Sequence, residues 1–183
     1  MIHDIFKTSI YGTKLEIDNN KLETFLLLQK DEGNQFSNIG GYQSKNLTAY
    51  PEQLLDELNK HINTYSDELN LKKELSITNM WYNINEYKDY NISHRHPLSI
   101  ISGVYYVKTP KDCGNIKFLN PVLNMIETYW HDVNIDNNLY SSHMWEYIAE
   151  KGVLYLFPSF LQHYVMPNLN KNEERISISF NAR

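Results

Sequence analysis

Three histidines and one arginine have the types and spacing to do chemistry together. His94 and His96 flank Arg95 in Ser93-His94-Arg95-His96-Pro97, just before an apolar run. His163 comes far downstream, after Phe157-Pro158-Ser159, and Arg175 opens Arg175-Ile176-Ser177-Ile178-Ser179-Phe180. In an extended chain residues i and i+2 share a face, so His94 and His96 can converge on one ion. Pro97 favours this by pushing the residue before it toward the β region. Imidazole is a ligand for iron and zinc alike, so the donor type alone does not select the metal. Arginine's planar fork holds a carboxylate through two hydrogen bonds, and Ser177 shares a strand face with Arg175. The set could therefore hold a metal ion with a carboxylate ligand beside it.

A blander reading competes. The chain has seven histidines, enough for close pairs by chance, and Arg175 could pair with Glu173 or Glu174 in water, where such a pair contributes little. His61 falls on a helix face, while His3, His131 and His143 read as surface residues.

The elements that must position these side chains change character along the chain. Ile5–Tyr11 reads as a short strand. Asp18 is placed to cap a helix over Asn19–Asp31 with Leu22, Phe25, Leu26 and Leu27 as its apolar face. Gly33–Ser44, with Gly40-Gly41 inside it, reads as loop. Pro51 opens a second helix, in which Leu54, Leu55, Leu58, Ile62, Tyr65 and Leu69 recur at helical spacing. From Leu75 the period becomes two. Strands are predicted at Ser76–Asn85, Ser93–His96, Ser99–Lys108, Asn115–Leu119, Trp145–Ala149, Val153–Phe157, Gln162–Met166 and Arg175–Asn181. The polar, aperiodic stretch Pro121–Met144 reads as a long insert, a candidate lid whose aromatic residues are Tyr129, Trp130, Tyr140 and the adjoining Trp145. The expected fold is mainly β with flanking helices: a double-stranded β-helix, or jelly roll, covered by two N-terminal helices.

Bulk properties narrow the function. A chain of 183 residues fits one domain over 1–183, with 42% hydrophobic and 21% charged residues. A net charge of −5 argues against nucleic acid as the default partner. No run approaches the ~20 apolar residues of a membrane span. Asp4 and Lys7 interrupt any signal-peptide pattern, and the single cysteine, Cys113, fits a reducing compartment. The expected location is cytoplasmic.

The motifs His94-Arg95-His96-Pro97, Ser102-Gly103-Val104-Tyr105-Tyr106, Phe157-Pro158-Ser159, His163-Tyr164-Val165-Met166-Pro167 and Arg175-Ile176-Ser177-Ile178-Ser179-Phe180-Asn181 occur in this order. Together with Ser37-Asn38-Ile39-Gly40-Gly41-Tyr42-Gln43-Ser44 they resemble the 2-oxoglutarate/Fe(II)-dependent oxygenases of phages and marine bacteria. That family lies in the prolyl-hydroxylase-like double-stranded β-helix superfamily. The resemblance implies that His94 and His163 are metal ligands, with His96 where relatives carry a carboxylate. It implies that Arg175, with Ser177 and Tyr106, binds the distal carboxylate of 2-oxoglutarate, and that Asn83 or Trp81 lines the pocket. The implied cofactors are Fe(II) and 2-oxoglutarate, with no catalytic side chain beyond the metal ligands. The implied activity is a dioxygenase, a hydroxylase, which uses O2 to couple decarboxylation of 2-oxoglutarate to succinate with oxidation of a small molecule or protein side chain. Two alternatives stay open: a three-histidine cupin-type dioxygenase without 2-oxoglutarate, and a non-catalytic metal-binding jelly-roll module.

Overall fold

The computed structural model describes residues 1–132 and 138–183. The first half of the chain gives β1 (Tyr11–Lys14), α1 (Asn19–Leu27), β2 (Asn38–Ile39), β3 (Tyr42–Gln43), α2 (Glu52–Glu68), β4 (Ile77–Asn85) and β5 (Tyr90–His94). The second half gives β6 (Ile101–Lys108), β7 (Ile116–Leu119), α3 (Leu123–Tyr129), β8 (Met144–Tyr147), β9 (Val153–Pro158), β10 (His163–Val165) and β11 (Arg175–Ala182). Two antiparallel sheets form a jelly-roll sandwich: β1-β9-β6-β11-β4-β3 and β2-β5-β10-β7-β8.

Local chemistry explains the helices. Asp18 accepts a hydrogen bond from the Lys21 backbone N–H at 3.2 Å, capping α1. That helix ends at Leu27 rather than near Asp31, because Leu27 and Leu28 face solvent and supply no packing to extend it. Pro51, in extended conformation, precedes α2 at the cap position. Leu54, Leu58, Ile62 and Tyr65 bury one stripe of α2 against the six-stranded sheet, beside Leu22 and Leu26 of α1. The sheet answers with Tyr82, Tyr105, Ile176, Ile178 and Phe180. A second, smaller core of Val104, Tyr106, Ile116, Phe118, Phe157 and Leu161 lies between the sheets. Alternation along β4, β6 and β11 thus splits each strand between a helix-side core and an inner face.

Several expectations shift. Ile5 and Phe6 are exposed and outside any strand, which begins only at Tyr11. The Gly33–Ser44 loop contains β2 and β3, which belong to different sheets, so the chain turns a corner between them. Gly40 at φ +68° makes that corner; a Cβ there would meet the Asp89 carboxylate at 1.9 Å. β5 stops at His94 instead of running to His96, since Pro97 has no N–H for a ladder and Leu98 turns the chain at φ +67°. The insert Pro121–Met144 is not structureless: it holds α3, anchored by the buried Ile126. Residues 133–137 of the proposed lid lie outside the described residues.

Gly103 on β6 faces Phe180, where a Cβ would sit 2.3 Å from Cζ and 2.8 Å from Leu156. Gly103→Ala should therefore destabilise the fold by about 1–3 kcal/mol through overpacking. Urea unfolding checks this, and Phe180→Leu in the same background should return part of the loss. An unchanged midpoint in Gly103→Ala would mean that this packing is not tight.

Candidate metal and carboxylate site

Register brings two distant histidines together. His163 on β10 is the Cα partner of His94 on β5, so their side chains leave the sheet side by side. Their ring centroids are 4.4 Å apart. His96 lies beyond the end of β5, and its N–H donates to the Ser159 carbonyl at 3.1 Å. That bond brings its ring to 5.0 Å from His94 and 5.1 Å from His163. Possible ligand nitrogens of all three lie within 4.8 Å of one another.

Ring tautomers follow from the hydrogen bonds. A carbonyl can only accept, so His94 Nδ1–H donates to Ile92 O at 2.8 Å and His163 Nδ1–H to Leu161 O at 2.9 Å. Each is left with a bare Nε2, the arrangement that orients metal-binding imidazoles. Phe118 and Phe157 pack against the buried His163 ring. Burial, and secondarily His94, lowers His163 to about 3 from an ordinary 6.5, and lowers His96 to about 4 for the same reasons. Burial lowers His94 as well. Near neutrality the triad therefore offers uncharged lone pairs, which fit a divalent cation.

His96 owes its place to a buried polar chain. Ser159 lies in the turn after β9, and its hydroxyl pairs with Ser102 at 2.8 Å. Ser102 donates to Asn181 Oδ1 at 2.7 Å, so the proton in the first bond comes from Ser159. Asn181 Nδ2 then donates to Asn79 Oδ1 at 3.1 Å.

Arg175 sits at the start of β11, 1% exposed, opposite Asn85 of β4. Its Nη1 donates to the carbonyls of Cys113, Gly114 (3.0 Å) and Met166 (3.3 Å). Its Nε is buried without a partner, and none of the ion pairs among the described residues includes it. Burial lowers the guanidinium's pKa from its usual value, but arginine remains charged in proteins. Beside it the Tyr106 hydroxyl is also buried and unpartnered, and burial pushes its pKa up. Ser177 pairs in register with both Tyr106 and Asn83. Two orphaned donors next to a cation fit an anionic ligand with oxygen acceptors.

One cavity of about 660 Å³ contains the whole set: His94, His96, His163, Arg175, Ser177 and Tyr106 all line it. Asn83 and Trp81 line it too. Among the described residues the insert Pro121–Met144 contributes nothing to its wall; Tyr129, Trp130, Tyr140 and Trp145 are exposed elsewhere. His3, His131 and His143 are surface residues, and His61 bonds Tyr11 outside the site. Sequence reasoning missed Ser102, Ser159 and Asn79, although Asn79-Met80-Trp81-Tyr82-Asn83 alternates as a strand should. It also passed over Arg95, which lines the cavity mouth and donates to Gln162 at 3.0 Å.

The sequence pattern of the family described as "Putative 2OG-Fe(II) oxygenase" matches residues 79–181, more than half of the chain. The chain belongs to this family, whose members use Fe(II) and 2-oxoglutarate. No curated protein matches. Among solved structures it is similar to a Pseudomonas putida prolyl-4-hydroxylase, with 13% identity, TM-score 0.65, 96% of this chain and 92% of that one. It is also similar to the viral collagen prolyl hydroxylase of Paramecium Bursaria Chlorella virus-1 in its 2OG complex, with 11% identity, TM-score 0.61 and 95% of each chain. HygX from Streptomyces hygroscopicus, with nickel and 2-oxoglutarate bound, gives 10% identity, TM-score 0.62, and 96% and 82% coverage. At these identities the likeness is one of fold. No helix among the described residues is long and apolar enough to cross a membrane.

Two outcomes follow. Ser102→Ala leaves Ser159 and Asn181 short of a buried partner and should cost about 1–3 kcal/mol in urea unfolding; a neutral result would mean water replaces the hydroxyl. In acid, the histidines are neutral when folded and protonated when unfolded, so the unfolded state binds more protons. Metal-free protein should lose stability as pH falls below 6.5 toward about 4, the decline already visible by about pH 5. Unfolding curves of wild type and His163→Asn across that range check it; equal slopes would overturn the assignment.

Proposed function

We propose that this protein is an Fe(II)- and 2-oxoglutarate-dependent dioxygenase, a hydroxylase. In this reading His94, His96 and His163 hold the metal, Arg175, Ser177 and Tyr106 hold the co-substrate, and Asn83 lines the pocket beside them. The observation that carries it is Arg175, buried with its Nε unpartnered and no carboxylate against it among the described residues, in the same cavity as three neutral imidazoles. When bound, iron and 2-oxoglutarate supply the chemistry: with O2, substrate is hydroxylated as 2-oxoglutarate becomes succinate and CO2. The protein's own groups bind and orient. Arg175, fixed through Nη1, keeps Nε for a carboxylate, and Tyr106 adds a phenolic donor. The carbonyls of Ile92 and Leu161 hold two imidazoles in the metal-binding tautomer. Phe118 and Phe157 keep water from one side of His163. The triad alone also favours a cupin-type three-histidine dioxygenase that does not use 2-oxoglutarate; Arg175 distinguishes the two.

The test is anaerobic titration of metal-free protein with Fe(II), then 2-oxoglutarate, following the visible metal-to-ligand charge-transfer band. The band should appear in wild type and vanish in His163→Ala and Arg175→Ala. In Tyr106→Phe, which preserves packing, 2-oxoglutarate should bind about tenfold more weakly, the worth of one hydrogen bond of ~1.4 kcal/mol. Iron binding without a band would favour the cupin-type reading.

A further inference from the structure

The cavity extends well past the triad and Arg175. Its remaining wall comes from the Asn34–Asn46 segment and the inner faces of β4 and β11. Carboxamides dominate there: Asn34, Gln43, Asn46, Asn79, Asn83 and Asn181. Each carries donors and an acceptor without net charge. Some of that capacity is used within the wall. Asn46 Oδ1 accepts from the Met80 N–H at 2.7 Å, and Asn83 Nδ2 donates to Ser179 Oγ at 3.3 Å. Asn83 Oδ1 is left buried and unpartnered, although the residue is only 5% exposed. A buried acceptor without a donor is costly, so Asn83 is built for a ligand N–H. Trp81 stands between Asn79 and Asn83 on the same strand face, half-buried, its ring 5.7 Å from His96. It gives the wall one apolar platform next to the triad.

We infer that this half of the cavity binds the substrate through an uncharged amide group, its apolar part resting on Trp81 and its N–H and C=O meeting Asn83 and Asn79. Reciprocal pairing of carboxamides with an amide satisfies a donor and an acceptor on both sides. Charge selects against amines. The charged side chains lining the cavity among the described residues are Arg95 and Arg175, both cationic, and a bound metal adds to them. A carboxylate is drawn instead to Arg175, where it competes with the co-substrate. The inference deepens the proposed function and rests on it for the places of the metal and the co-substrate.

The test is binding without iron, by saturation-transfer NMR on the full chain loaded with zinc and 2-oxoglutarate. The probes are N-acetylglutamine amide, N-acetyllysine amide, adenine and methyl glucoside. The glutamine probe should bind at least tenfold more tightly than the lysine probe. Trp81→Ala and Asn79→Asp, which keeps the acceptor that Asn181 Nδ2 uses and removes only the amide donor, should each lose that binding with thermal midpoints near wild type, and Trp81→Phe should restore most of it. The inference is overturned by equal or tighter binding of the lysine probe, by adenine or methyl glucoside binding instead of the amide, by no binding of the amide probe, or by indifference to both substitutions. Failure of the oxygenase reading shows separately, as a missing charge-transfer band in a protein that still binds the amide probe.

Discussion

Taking a guanidinium out of water costs several kcal/mol, and Arg175 offsets that cost with backbone carbonyl dipoles instead of a counter-charge. The three carbonyls come from the β6–β7 connection and from the segment after β10, so the cation ties both sheets together at one end of the sandwich. Had the burial been purely structural, a carboxylate would neutralise it more fully. Carbonyls satisfy Nη1 and leave the positive field directed into the cavity, where the Tyr106 hydroxyl also lacks a partner. An anion in the cavity would give both groups the partner they lack.

The triad adds to the same field. Fe(II) sites of two histidines and a carboxylate offset one unit of metal charge, whereas three neutral imidazoles offset none. With His96 in the third place, a bound dication keeps its full charge in a cavity that already faces Arg175. A dianionic co-substrate neutralises both ends at once, and its affinity then depends strongly on both. In the proposed reading, histidine at position 96 would shift charge compensation from the protein to the ligand and make metal and co-substrate binding cooperative.

How much of this was legible depends on which forces set each element. Period-two alternation located the main strands, and the Leu54, Leu58, Ile62 spacing located α2, because burial of one face fixes both. The residue types of His94, His163 and Arg175 pointed to their chemistry, but their meeting depends on β5–β10 register, which no local pattern encodes. His96 was predicted on a strand by the i, i+2 rule. It reaches the triad from a turn, through a bond to Ser159 that pairs residues far apart in sequence. β2 and β3 were missed since two-residue strands carry no period, and α3 since its single buried residue leaves no stripe.

The two sheets divide the work according to what backs them. The six-stranded sheet is pressed against α1 and α2, and its inner face carries Arg175, Ser177, Tyr106 and the carboxamides of β3, β4 and β11, on strands with a packed core behind them. Among the described residues, none of the five-stranded sheet belongs to the core that α1 and α2 build. That sheet contributes His94 and His163 from short strands. The carboxamides and Arg175 thus stand on the wall backed by the helices, while His94 and His163 stand on the other, where a bound ion would fix their spacing. Metal binding should therefore stiffen the five-stranded sheet far more than the other, because only there does ligation replace a missing packed layer.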